Sequence, residues 1–464
     1  MKLPKFIKDG QPPVGINPSL NQLGTETAFG FGAEVARIEK TGKFEQIYKF
    51  HVGDTGPKTP EPIIRTAIKA LEDKQTKYAH YLGYPQVREN IAKYFAKTRQ
   101  VELDEDNVML VQGGKPIIEL AMQSVLEPGD FVVGQSPAYP IYESLAKFYT
   151  NGNFTPWMAR HNEANGLLEF EVDDLEKILD ENDRIKLLVI NTPQNPTGMM
   201  LTKEKITRIA ELVKKHNLII LFDDIYDRIV FESREHFSIL SVPDMLERTI
   251  NLNGCSKDFA MTGWRMGFVI APKWLINIFG RLAINKWSCV SRINQIAAGV
   301  IFGDVEVDGY KYESVTDELQ PILEKDYKDY EKKGKFLVEA LEMLKPYVIP
   351  NPVEGAFYDF PNIEKVLNLS YVKDDLNIKN ENEFTEWLLN EKGFACLAGP
   401  DFGEGGRGHI RLSYAEDKDI HIVPGIKYFI KVILELIEKS GQDLPVKIEE
   451  VDERIIKIEQ KMFS

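Results

Sequence analysis

The chain has 464 residues, with 57 Lys plus Arg against 71 Asp plus Glu, a formal charge of −14 and 43% hydrophobic residues. At roughly 100–200 residues per domain this is a globular chain of two or three domains, large enough to bury a core without disulfides or structural metal. The acidic balance disfavours nucleic acid and anionic membranes as main partners. Three scattered cysteines, Cys255, Cys289 and Cys396, exclude a disulfide framework and a Cys-rich zinc site.

No apolar run reaches the ~18 residues of a membrane span, and MKLPKFIKDGQPP lacks the apolar stretch of a secretion signal. The expectation is a soluble, cytoplasmic protein with no metal site. Residues 1–20 contain Pro and Gly and are expected to cross a surface. Residues 24–42 carry one helical pattern.

The middle of the chain alternates short apolar runs with amphipathic stretches. The runs are NVMLV (107–111), FVVG (131–134), KLLVIN (186–191), LIILFDD (218–224), TINLNG (249–254) and GFVIAP (267–272). Runs this short, rich in Val, Ile and Leu, read as strands buried on both faces of a largely parallel sheet. Over 203–216, Ile206, Ile209, Ala210 and Val213 form one helical stripe, with Thr202 as N-cap. Strand and helix in alternation predict an α/β fold. Residues 303–334 are strongly charged and read as a solvated helix or connector. Beyond 335, longer helices with few strands predict a smaller α+β domain, and 451–463 predicts a last helix.

In such sheets ligands gather beyond the carboxyl ends of the strands. Lys257 follows TINLNG directly, with Ser256 before it and Arg265 after it. A lysine at a buried strand end is suited to covalent capture of a carbonyl, and an arginine nearby to a forked phosphate contact. An exposed loop lysine is the competing reading. Asp223 ends the run LIILFDD and Tyr226 follows. The pair suits a protonated heterocycle, or else a helix cap beside a core tyrosine. NTPQNPTG (191–198) fixes the Asn195 amide between prolines, or merely ends a strand. VQGGKP (111–116) brings Gly113, Gly114 and Lys115 to a helix start that suits an anion. Tyr139 in SPAY offers a ring face, Gly53 lies in KFHVGDTGPKTP, and Arg411 sits inside the strand pattern HIRLSYA. A buried Arg411 needs a carboxylate, from a substrate or from the protein itself.

Taken together and in order, GDTGPKTP, KYAHYLGYPQVRENIA, VQGGKP, SPAY, NTPQNPTG, DDIY, SKDFAMTGWRMG and HIRLSYA resemble the class I/II pyridoxal-phosphate (PLP) aminotransferases of the aspartate aminotransferase fold. The resemblance runs from about Thr25 to Ala415. It implies a large domain with a mostly parallel central sheet flanked by helices, plus a smaller α+β domain formed by the N- and C-terminal segments. The corresponding division is 1–57 (arm and part of the small domain), 58–330 (large PLP-binding domain) and 331–464 (small domain).

The resemblance also implies roles. Lys257 matches the lysine that forms the Schiff base and moves the proton. Asp223 matches the partner of the pyridine nitrogen, and Tyr226 and Asn195 match donors to the ring oxygen. Arg265, with the amides of Gly114 and Lys115, matches the phosphate cup, which Ser256 extends. The family often has Ser or Thr three residues before the lysine, where this chain has Gly254. Tyr139 matches the stacking aromatic. Arg411, helped by Gly53, matches the clamp on the substrate carboxylate. Tyr78 matches a tyrosine that reaches the neighbouring subunit's phosphate, which implies a homodimer. The implied reaction exchanges an amino group between an L-amino acid and a 2-oxo acid. Another PLP reaction on this scaffold (β-lyase, synthase, decarboxylase or epimerase) is the alternative, and a PLP-binding regulator is disfavoured by the acidic surface. Lys286, Arg292 and Lys115 are candidates for a second cation in the substrate pocket, and Phe29, Phe31, Tyr139 and Phe357 for aromatic contacts.

Overall fold

A computed structural model describes residues 17–24, 27–162, 167–232 and 234–464, without the side chains of Ala28 and Phe29. Most of the expected surface segment 1–20 therefore lies outside the described residues.

The six apolar runs form strands of one seven-stranded sheet. The strands are β1 (Val108–Val111), β2 (Phe131–Ser136), β3 (Phe154–Met158), β4 (Ile185–Asn191), β5 (Ile219–Asp223), β6 (Thr249–Gly254) and β7 (Gly267–Ile270). Their order is β1-β7-β6-β5-β4-β2-β3. Strands β3, β2, β4, β5 and β6 pair in parallel, whereas β7 is antiparallel to both β1 and β6. The reversal has a simple cause. A parallel return needs a crossover of a dozen or more residues, usually a helix. The β6–β7 link contains only one short 3-10 turn, Thr262–Trp264, and the chain doubles back. Strand β3 escaped the sequence reading because FTPWM is interrupted by Pro156. It is an edge strand, where a proline is tolerated.

The helices that matter here are α1 (Thr27–Glu39), α2 (Lys115–Val125), α3 (Ile141–Thr150), α4 (Lys203–Lys215), α5 (Lys273–Lys286) and α6 (Thr316–Leu341). They are followed by α7 (Glu381–Lys392), α8 (Val423–Lys439) and α9 (Val451–Phe463). Helix α4 forms where its stripe predicts. The Thr202 hydroxyl accepts the Lys205 amide at 3.3 Å, and Ile206, Ile209, Ala210, Leu212 and Val213 are buried. Each large apolar side chain there contributes about 1.5–3 kcal/mol.

The charged stretch 303–334 resolves into a hairpin (Val305–Val307 with Tyr310–Tyr312) and most of α6. Helix α6 starts on the core beneath the large sheet through Leu319 and Leu323. It ends in a second core through Phe336, Leu337 and Leu341. That second core belongs to the smaller α+β domain. Its sheet orders β8 (Tyr358–Asp359), β10 (Ile410–Ser413) and β9 (Leu397–Ala398) with β10 in the middle. The N-terminal segment joins this domain through Tyr48–Lys49, which pairs in parallel with Phe394–Ala395. Helix α9 completes it by burying Val451, Ile455 and Ile458. Among the described residues no helix is long and apolar enough to cross a membrane.

Strands β6 and β7 approach closely where Gly254 faces Gly267. A Cβ on Gly254 would stand 2.9 Å from Gly267 Cα and 3.1 Å from Met266 O. This is why neither Ser nor Thr fits three residues before Lys257. Gly254→Ala should therefore destabilise the fold by about 1–3 kcal/mol. Urea denaturation should show a lower midpoint with an unchanged slope; an unmoved midpoint would refute the tight approach.

Candidate active site

The carboxyl ends of β4 and β5 lie level, and β6 runs two residues beyond them. Asn191 pairs with Asp223, and Asp223 with Leu252. Against this crest opens a cavity of about 790 Å³. Gly53, Gly114, Lys115, Tyr139, Asn195, Asp223, Tyr226, Ser256, Lys257, Arg265 and Arg411 all line it. Eleven of the twelve residues to which the resemblance gives a role in binding or catalysis thus meet in one place. Tyr78 does not. It is 86% exposed and outside the lining.

Asp223 is buried at the end of β5. Its Oδ2 accepts the Tyr142 hydroxyl at 2.5 Å and its Oδ1 accepts the Ile225 amide at 2.9 Å. Burial pushes its carboxyl up to about 7, against the opposing pull of those two donors. Tyr142 was not foreseen, although SPAYPIY carries both tyrosines. They sit three apart at the start of α3, with rings edge to face at 5.6 Å. Both line the cavity, and Tyr142 turns its hydroxyl to the acid.

The turn after β4 is held by Asn191. Its side-chain carbonyl accepts the Asn195 amide at 2.9 Å and its Nδ2 donates to Asp223 O at 3.1 Å. Asn195 Oδ1 in turn accepts Arg411 Nη1 at 3.1 Å. The donor end of the Asn195 amide is therefore the end left for the cavity.

Arg411, in the middle strand of the small sheet, is only 2% exposed. Its guanidinium lies between the rings of Tyr358 (4.7 Å) and Phe402 (4.9 Å). Its Nη2 donates to His51 O at 2.7 Å. Burial, reinforced by Arg411, lowers the His51 imidazole to about 4, so it is neutral. His51 also lines the cavity, although only its neighbour Gly53 stood out in the sequence.

Lys257 Nζ donates to Gly53 O at 2.5 Å and stands 5.7 Å from the Phe357 ring centre. Tyr226 Oη lies 3.0 Å from Tyr358 Oη, another contact that no local pattern announced.

At the other end, Arg265 enters β7 with φ of 54°, and its Nη1 donates to Thr262 O at 2.9 Å. The guanidinium lies against Gly113, where a Cβ would stand 2.4 Å from Nη2. Helix α2 begins beside it, with Gly114 as N-cap. A guanidinium and the amides at a helix start form an anion cradle that a side chain at 113 would fill.

Two candidates for a second cation lie outside this cavity. Lys286 pairs with Glu119, and Arg292 pairs with Asp308 beneath the Tyr84 ring. Neither lines the cavity, whereas Lys115 does. Among the aromatics, Tyr139 lines the cavity, Phe357 is buried behind Lys257, and Phe31 packs tilted on His51 at 5.7 Å. The Phe29 side chain lies outside the described residues.

Residues 46–423 match the family "Aminotransferase class I and II". An aspartate aminotransferase of Pyrococcus horikoshii is 31% identical over 382 residues, covering 82% of this chain and 90% of that protein. Aromatic-amino-acid aminotransferase 2 of Thermococcus litoralis is 32% identical over 373 residues, covering 80% and 88%. The solved structure of Thermus thermophilus aspartate aminotransferase with maleate superposes with a TM-score of 0.78 at 25% identity, covering 90% of this chain and 99% of that one. The chain belongs to the class I/II aminotransferases. It is a PLP-dependent transaminase with the aspartate aminotransferase fold. The donor set fits the cofactor: a cradle for its phosphate, an amine for its aldehyde, an aromatic wall for its ring and a buried acid for its ring nitrogen.

The Asp223 shift has a consequence for the protein without cofactor. The folded value of about 7 exceeds the ordinary 3.8, so the stability this group contributes is complete below about pH 4 and lost as pH rises to about 7. Cofactor-free Asp223→Asn should match wild type in stability near pH 4 and exceed it by a few kcal/mol above pH 7. Denaturation curves at the two pH values check this, and equal stability at both would contradict it.

Proposed function

We propose that the residues around this cavity divide the transamination of an L-amino acid with a 2-oxo acid as follows. Lys257 carries the cofactor through its amine and, once freed by substrate, moves the proton at the substrate Cα. PLP, when bound, supplies the electron sink. Asp223 faces its ring nitrogen, with Tyr142 holding the carboxyl in place. Tyr226 and the donor end of Asn195 meet the ring oxygen. Arg265, the amides of Gly114 and Lys115, and Ser256 hold the phosphate, and Tyr139 stacks on the ring. Arg411, with the Gly53 amide, binds the substrate carboxylate at two points and so orients the Cα–H bond. The observation that carries this reading is the single cavity shared by Lys257, Asp223, the Arg265 cradle and Arg411.

The same reading divides the chain into 1–57, 58–330 and 331–464, with the second boundary inside α6. It makes the active unit a homodimer in which Tyr78 reaches the partner's phosphate. Support comes from the exposure of Tyr78 (86%) and of Trp274 and Ile284 on α5 (47% and 51%). Helix α5 packs on the same segment, since a Cβ on Gly280 would stand 2.8 Å from the Tyr81 ring. The free thiols Cys255, Cys289 and Cys396 support a reducing, cytoplasmic setting.

Purified protein with PLP should absorb in the visible and change colour when an amino donor is added. Lys257→Ala should lose turnover by about 10³-fold or more; comparable activity would show that another lysine does the chemistry. Light scattering should report a particle of twice 53.0 kDa, and a monomer with full activity would overturn the role of Tyr78.

A further inference from the structure

Tyr226 and Tyr358 are both buried, with rings at 88° and hydroxyl oxygens 3.0 Å apart. A phenol has one proton. Two hydroxyls at this distance share one hydrogen bond, so one donates and the other's proton points elsewhere. On the reading above, Tyr226 donates to the cofactor's ring oxygen. The shared bond must then take its proton from Tyr358.

Tyr358 is well placed to be fixed in that role. It lies on β8, paired with Ser413 of β10, two residues from Arg411. Its ring faces the Arg411 guanidinium at 4.7 Å. Its hydroxyl lies 3.6 Å from where a Gly53 Cβ would stand, and the Gly53 carbonyl accepts Lys257 Nζ. One side chain of the small domain therefore touches residues assigned to the cofactor oxygen and to the substrate carboxylate.

We propose that Tyr358 is a positioning residue: it donates its hydroxyl proton to Tyr226 and so points the Tyr226 O–H at the ring oxygen of the cofactor. This rests on the assignment of Tyr226 given under Proposed function. A hydroxyl that accepts a hydrogen bond is a stronger donor itself. A donor on the ring oxygen competes with the proton shared between that oxygen and the nitrogen contributed by Lys257. Losing the donor therefore raises the pH at which that proton leaves. Besides Tyr358, the groups that act most on Tyr226 are Asp223 at the end of β5 and Arg411 on β10, and Lys257 lines the same cavity. Tyr358→Phe removes none of these groups and keeps the ring that faces Arg411.

The test is a pH titration of the visible absorbance of protein loaded with PLP, for wild type, Tyr358→Phe, Tyr226→Phe and the double variant. Tyr226→Phe should move the midpoint upward. Tyr358→Phe should move it in the same direction by about 0.5–1 unit, as expected for one hydrogen bond. The double variant should titrate like Tyr226→Phe alone, since Tyr358 acts only through Tyr226. If Tyr226→Phe moves the midpoint and Tyr358→Phe leaves it at the wild-type value, the inference is wrong and the reading of Tyr226 stands. Additive shifts overturn it as well, because Tyr358 would then act without Tyr226. If Tyr226→Phe leaves the midpoint unmoved, the assignment of Tyr226 fails and takes this inference with it.

Discussion

A carboxyl group at the end of β5 sets the terms for the rest of the site. Asp223 is buried, and its two seen hydrogen bonds come from a neutral phenol and a backbone amide. A buried carboxylate without a cation is expensive, and the group responds by holding its proton up to about pH 7. A cationic ring nitrogen placed opposite would relieve that cost by forming an ion pair. The preference for a protonated heterocycle thus follows from where β5 ends.

The two domains contribute different parts. The large sheet supplies the acid, the amine, the Asn195 turn and the anion cradle, all at strand ends whose register is fixed by backbone pairing. The small domain supplies Arg411 and Tyr358 from adjacent strands. Arg411 bridges the halves, with one hydrogen bond to Asn195 and another to the carbonyl of His51. The N-terminal segment belongs to the same contact, because Gly53 takes the Lys257 amine and lies beside Arg411.

Much of this was legible in the sequence. Apolar runs with no alternation mark strands covered on both faces, and six of seven were found that way. The seventh, β3, carries a proline at a sheet edge. The reversal of β7 was not foreseen, since hydrophobicity reports burial and not direction. Most of the site residues that emerged follow the end of a strand, as Asp223, Asn195 and Lys257 do, whereas Arg411 lies inside β10. Those that were missed share a different property. Tyr142 meets Asp223 across 81 residues, and Tyr226 meets Tyr358 across 132. Only tertiary packing makes those pairs. Lys286 and Arg292 lie elsewhere for the same reason: each finds a carboxylate, Glu119 and Asp308, away from the cavity.

The central claim is that the amine beside β6 is the one that captures the cofactor. Borohydride reduction of the protein loaded with PLP, followed by peptide mass mapping, tests it directly. The account predicts that the added pyridoxyl mass appears on the peptide containing Lys257 and nowhere else in stoichiometric amount. The same mass on a different lysine, or no covalent mass at all, would contradict it.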